Sequence, residues 1–217
     1  MTGPNAPGTR VLLLRHAETS APDVFHGAES DVGLGTRGIA QARKAGGRLA
    51  AIGPDAIYAS EMRRALESAR IIAEACGLSA RIWPGIHERR MGSMSGQSRS
   101  EGWPIYEETK EHWKAGLLDT THEGGESFAE LRDRATAAFR SLLEAEAGRT
   151  VVVVAHGIVN RVLLASMLAG YSPADFDRIP IEFLGIHDLR WDGETLLLAD
   201  YVPGEATPPL RPRPHLP

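Results

Sequence analysis

The sequence predicts an α/β fold: a three-layer α/β/α sandwich with a mostly parallel central sheet and an inserted lid subdomain. Two observations carry this expectation. Val11-Leu12-Leu13-Leu14 and Val151-Val152-Val153-Val154 are short, wholly apolar runs, the pattern of parallel strands buried on both faces, and each run is soon followed by a histidine, His16 or His156. Between and after them, strand-like runs alternate with stretches of helical periodicity, the order expected when helices cover both faces of a parallel sheet.

Each element has a local reason. After the first strand, Ile39, Ala42, Leu49 and Ile52 recur at helical spacing behind Thr36 as N-cap, and Gly53-Pro54 closes the segment. Asp55 to Ser60 reads as a strand, and Ser60 as the cap of a helix running to about Cys76, with Met62, Ala65, Ala69 and Ile72 on one face and Gly77 at its end. From 83 to 125, glycines and Trp-Pro pairs interrupt every period, which reads as a lid with a helical stretch around 105–115. Ser127-Phe128-Ala129-Glu130 has the form of a capping box, opening a helix whose Phe128, Leu131, Ala135, Phe139 and Leu142 share a face. A helix over 158–169, ended by Gly170, follows the second apolar strand. Ile186 to Trp191 and Thr195 to Val202 then form a hairpin across Asp192-Gly193.

A length of 217 residues suits one domain over 10–202, flanked by a flexible start at 1–9 and a proline-rich tail at 203–217. The tail contains Pro209-Leu210-Arg211-Pro212, a P-x-x-P form common in such ends and here read as solvated chain. Hydrophobic residues at 42% and charged residues at 24% exclude global disorder. A net charge of −4 argues against a nucleic-acid partner held by summed phosphate contacts. No apolar run approaches membrane-spanning length, and the start lacks the apolar core of a signal peptide. Cys76 stands alone, so neither an internal disulfide nor a multi-thiolate metal site can form; a cytoplasmic protein is expected.

In open α/β sheets ligands bind beyond the carboxyl ends of the strands, where Arg15, His16 and His156 fall. Either histidine alone more often packs beside a loop; two together point to one crevice. Arg63 and Arg64 stand in the first turn of a helix, where cations are mildly unfavourable unless an anion binds nearby, and Arg64, followed by Ala65, is the better phosphate ligand. No P-loop, H-E-x-x-H or aspartate-rich loop is present, which leaves histidine as the economical nucleophile for phosphoryl transfer and calls for a carboxylic acid to protonate the leaving oxygen. Glu88 lies where the chain leaves the sheet for the lid, and partial burial there could raise its pKa; read alone, it is a surface partner of Arg89 or Arg90.

These residues resemble the histidine phosphatase superfamily, in the branch holding cofactor-dependent phosphoglycerate mutase and its phosphatase relatives. Leu14-Arg15-His16-Ala17-Glu18-Thr19 is similar to the R-H-[GA]-E-[TS] signature of that branch. Phe25-His26-Gly27, Leu34 to Ala42, Ser60 to Ala69, Glu88 to Gly96, Gly124 to Ser127 and Ala155-His156-Gly157 resemble its later segments, in the same order. The resemblance implies a phosphohistidine at His16, phosphate held by Arg15, Arg64, His156 and Gly157, and Glu88 as acid and then base. It also implies supporting roles for Glu126 and Ser127, a small phosphorylated substrate and often a homodimer; no cofactor or metal is expected, and Thr19, Ser20 or a backbone amide is the candidate replacement for a phosphate contact that the family's Asn supplies. Pro22 stands where many relatives carry a phosphate-binding Asn, and Gly157 rather than Asp follows His156, unlike the acid phosphatase branch.

Between 97 and 123 three basic residues, Arg99, Lys110 and Lys114, face six acids, so a doubly anionic substrate looks poorly served. The expectation is therefore metal-independent phosphomonoester hydrolysis, with phosphoglycerate mutase activity as the alternative and a silent phospho-ligand binder as a second. Lid aromatics Trp103, Tyr106 and Trp113, with His112, could stack on a substrate or anchor the lid.

Overall fold

The computed structural model describes residues 8–206. The P-x-x-P segment and most of the proline-rich tail lie outside the described residues. The order is β1 (Thr9–Arg15), α1 (Thr36–Ile52), β2 (Ala56–Ala59), α2 (Arg63–Ala75), β3 (Ala80–Ile82), α3 (Arg99–Lys114), α4 (Phe128–Ala145), β4 (Thr150–Ala155), α5 (Gly157–Met167), β5 (Ile186–Trp191) and β6 (Leu196–Val202). Short 3-10 turns occupy Gly92–Met94 and Pro173–Arg178.

Among the described residues the strands form one sheet in the order β3-β2-β4-β1-β5-β6. The pairs β3/β2, β2/β4 and β4/β1 are parallel; β5 and β6 complete the sheet antiparallel. Period-2 alternation divides the apolar strands between two cores. Val11, Leu13, Val151 and Val153 pack with α4 and α5, while Leu12, Leu14, Ile57, Val152 and Val154 pack with α1 and α2. These are the three expected layers. Because β1 and β4 pair with Arg15 opposite Ala155, the two histidines leave neighbouring strands at the same level.

Local chemistry differs from expectation at several boundaries. Gly35, not Thr36, caps α1, and Met62, not Ser60, caps α2. The Ser127/Glu130 capping box forms as read, an interaction worth about 1 kcal/mol. The lid helix α3 begins at Arg99, earlier than its periodicity shows, because Ser98 caps it by accepting from the Glu101 amide; Pro104 lies within the helix. Strand β3, three partly exposed residues, leaves no apolar pattern to read. Thr9 is buried and already belongs to β1.

The lid is tied to the body. Trp113 is fully buried against Phe128 and Phe176. Arg89, also fully buried, lies with its guanidinium carbon 4.8 Å from the Trp113 ring centre and donates to the Glu126 carbonyl at 2.6 Å. Among the described residues no helix is long and apolar enough to cross a membrane.

Candidate active site

His16 leaves the end of β1 with 6% of its surface exposed. Its Nδ1 lies 2.7 Å from the Ala17 carbonyl, which can only accept; Nδ1 therefore carries the proton and Nε2 the lone pair. Burial, followed by the charges of Arg64 and Arg15, holds its pKa well below the usual histidine value, so the ring is neutral at pH 7. The backbone that fixes this tautomer is itself held. Ala17 N–H donates to Ser68 Oγ at 3.0 Å, the Ser68 hydroxyl donates to the Arg64 carbonyl at 2.7 Å, and Glu18 N–H donates to Gln41 Oε1 at 2.9 Å. α1 comes this close because Gly38 has no Cβ, which would collide with the Glu18 carbonyl.

His156, fully buried at the N-cap of α5, has its ring centre 5.2 Å from that of His16. Its Nε2 is 2.6 Å from Ser60 Oγ, and Nδ1 has no partner among the described residues. Burial, then Arg64 and the other neighbouring cations, also holds its pKa well below the ordinary value. Gly157 follows, close against the Arg15 side chain.

Glu88 is 5% exposed and sits over the first turn of α5. Its Oε1 accepts from Arg89 N–H at 2.9 Å and Val159 N–H at 3.0 Å, and Oε2 accepts from Ile158 N–H at 3.1 Å. Three of the roughly four acceptor positions of a carboxylate are thus taken by backbone. The alternative of a surface pair with Arg89 or Arg90 is not what forms. Arg134 fixes the loop by donating to the carbonyls of Gly85, His87 and Glu88, and is itself held by both oxygens of Glu126 at 2.7 and 2.8 Å. Burial alone would raise the pKa of Glu126; its pairing with Arg134 and the Arg90 amide outweighs this and lowers it.

His16 and Glu88 border a cavity of about 310 Å³, whereas His156 lies outside its lining. Arg15, His16, Glu88 and Gly157 line it, as does Thr19. Arg15 donates to the Ile181 carbonyl at 3.0 Å and lies over the Phe183 ring at 4.0 Å, and burial pushes its pKa down to about 10. Arg64 is fully buried behind the wall; it donates to the carbonyls of Ser30 and Gly27 at 3.0 and 3.2 Å, and its Nε has no partner among the described residues. Burial lowers its pKa, while its charge acts on both histidines. Ser20 is exposed and outside the lining, Ser127 caps α4, and Glu126 lies outside the lining, holding Arg134 and the Arg90 amide.

Several lining groups were not read as site residues. His26 lines the cavity with Nε2 2.7 Å from the Ala21 carbonyl. Arg161 enters from α5, one turn after Gly157, and Arg99 from the start of α3. Phe25, Trp103 and Tyr106 form an aromatic wall. The motif Phe25-His26-Gly27 was the available sign for two of these, and the i, i+4 spacing from Gly157 could have found Arg161. Of the lid aromatics, Trp103 and Tyr106 face the cavity, whereas Trp113 anchors the lid. The charge count over the lid does not describe the cavity: the lid acids Glu107 and Glu111 pair with Lys110 and Lys114, and Glu88 is the one acid among the described lining residues, against Arg15, Arg99 and Arg161.

The model of the histidine phosphatase superfamily (branch 1) matches residues 11–202. The chain is 35% identical over 167 residues to the probable phosphoglycerate mutase GpmB of Yersinia enterocolitica, covering 73% of this chain and 74% of the relative. Among solved structures, Bacillus stearothermophilus YhfR superposes with a TM-score of 0.77 at 28% identity, over 91% of this chain and 98% of its own. A phosphoserine phosphatase from Entamoeba histolytica, in complex with phosphoserine, superposes with a TM-score of 0.75 at 21% identity, over 89% and 96%. With strand order, motif positions and family match in agreement, the chain belongs to the histidine phosphatase superfamily, branch 1.

Proposed function

We propose that the protein hydrolyses phosphate monoesters of a small metabolite through a phosphohistidine intermediate. The observation that carries this is the His16 tautomer: a neutral imidazole whose Nδ1–H is committed to a backbone carbonyl, at a cavity that also holds Arg15 and Glu88. His16 Nε2 attacks phosphorus, the bond to the ester oxygen breaks, and the departing oxygen takes a proton from the Glu88 carboxyl. Water then loses a proton to Glu88 and attacks phosphorus, the N–P bond breaks, and orthophosphate leaves. Arg15 and Arg64 neutralise charge on the phosphoryl oxygens in both steps, and His156 and the backbone at Gly157 donate hydrogen bonds to them. The phosphatase name of the Entamoeba neighbour accords with this reading.

A mutase is the second reading, favoured by two observations. Arg99 and Arg161 add cationic wall to the cavity, which suits a substrate with a second anionic group, and the GpmB relative is named a probable phosphoglycerate mutase. Hydrolysis of p-nitrophenyl phosphate in excess chelator decides between enzyme and silent binder. The expected result is turnover that His16→Ala abolishes; no turnover by the wild type on any of a panel of phosphate esters would contradict it. Incubation with 3-phosphoglycerate and 2,3-bisphosphoglycerate separates the two reactions: orthophosphate release marks the phosphatase, and 2-phosphoglycerate marks the mutase.

A further inference from the structure

Ser60 reads as a helix cap from the sequence, but the helix is capped by Met62 and the serine hydroxyl is elsewhere. It stands just beyond the end of β2, fully buried, with its N–H bonded to the Val154 carbonyl at 3.2 Å and Oγ 2.6 Å from His156 Nε2. β2 and β4 pair in parallel register up to Ala59 and Val154, so residue 60 is level with Ala155, the last residue of β4, and adjoins His156 just beyond it. The juxtaposition is set by the sheet.

A neutral imidazole carries one N–H, and the proton can lie on either side of this contact. If Nε2–H donated to Ser60, the hydroxyl proton would need another acceptor, and the described residues supply none. Oγ does accept a second contact, from Met62 N–H at 3.4 Å. The arrangement that satisfies most buried groups therefore has Ser60 O–H donating to Nε2, leaving the proton on Nδ1. That nitrogen is buried beside His16 and has no partner among the described residues. A buried donor of this kind is costly unless a ligand oxygen accepts from it.

We propose that Ser60 is a positioning residue that holds His156 as its Nδ1–H tautomer, so that His156 offers the phosphoryl group a neutral hydrogen-bond donor and not a second base. The two histidines then have the same tautomer by different means and for different ends. A backbone carbonyl takes the Nδ1–H of His16 and leaves its Nε2 to attack; a serine hydroxyl takes up the Nε2 of His156 and leaves its Nδ1–H to bind. The role rests on the phosphoryl-transfer reading, but the tautomer does not.

The test begins with the wild-type protein, without substrate. Two-bond ¹H–¹⁵N correlation spectra of ¹⁵N-histidine protein, with the His156 ring assigned by its loss in His156→Asn, are expected to show a protonated Nδ1 and a bare Nε2 at pH 7. A protonated Nε2 would overturn the proposal whether or not the protein is a phosphatase. Ser60→Ala, checked for folding by the same spectrum, is expected to give mixed or Nε2–H signals at His156. It should also lower kcat on p-nitrophenyl phosphate roughly 10- to 100-fold, less than deleting a transition-state donor outright. The donor to Nε2 favours the neutral ring, so its removal should move the His156 titration to higher pH. A folded Ser60→Ala protein with an unchanged His156 tautomer and titration would contradict the assignment.

Discussion

The floor and the wall of the cavity are built differently. The floor consists of Arg15, His16 and Gly157 at the ends of the adjacent strands β1 and β4, with Glu88 over the start of α5 and the fully buried His156 outside the lining. The lining side chains there are fixed by backbone: a carbonyl for His16, three amides for Glu88, and the carbonyl of Ile181 for Arg15, whereas His156 behind them is held by the Ser60 hydroxyl. The wall consists of Phe25, His26, Arg99, Trp103, Tyr106 and Arg161, drawn from a loop, the lid and the exposed side of α5. The difference teaches where chemistry and selectivity reside. The floor can perform one reaction on many esters, while the wall decides which ester stays.

The sharpest way to break this division is at Glu88. Glu88→Gln keeps the size of the side chain but removes the proton it donates and accepts, so kcat for an alkyl phosphate should fall about 10²- to 10⁴-fold. Esters with good leaving groups, such as p-nitrophenyl phosphate, should lose less in the first step. An equal, small loss on both would remove Glu88 from proton transfer.

A substitution in the wall should act on selectivity. Arg161 is held by a bond from Nε to the Ile179 carbonyl at 3.0 Å and lies over Phe176, so its charge is presented in a fixed place. Arg161→Met should reduce the ratio of kcat/KM for a carboxylate-bearing ester to that for a neutral one by roughly 10-fold, the worth of one charge-assisted bond. Parallel kinetics on 3-phosphoglycerate and glycerol 3-phosphate measure the ratio; an unchanged ratio would deny Arg161 a part in recognition.

The remaining predictions concern pH and separate the site from the frame. Because His16 and His156 have lowered pKa values, protonation of the rings comes only at pH values well under 6.5, and the acid limb of kcat/KM should lie there. His187, packed against Tyr201 in the sheet, is likewise pushed down by burial, to about 4. Its sign follows from linkage. Above about pH 6.5 both folded and unfolded forms are neutral; below it the unfolded chain binds a proton that the folded chain refuses, so stability falls until about pH 4. The loss from this one ring is about 3 kcal/mol. His187→Leu should flatten that window in urea denaturation at pH 7 and pH 4.5 while leaving the acid limb of kcat/KM in place.

Much of the floor was legible because strand ends and motifs coincide there. The apolar runs at 11–14 and 151–154 located β1 and β4, and the residues just after them are the histidines. The wall was hidden because its members are brought together by tertiary packing: Arg99 belongs to a helix whose start Gly102 and Pro104 disguise, and Arg161 looks like any surface cation on α5. Ser60 was misread for a related reason. A serine before a helix suggests a cap, and only the register of β2 on β4 shows it turned to His156.

The most direct test of the account is to trap the intermediate. Rapid mixing with a ³²P-labelled ester found to be a substrate, followed by alkaline quench and peptide mapping, is expected to place acid-labile, base-stable phosphate on His16, and none in His16→Ala. Turnover with no phosphorylated histidine at any mixing time, or with label on another residue, would contradict it.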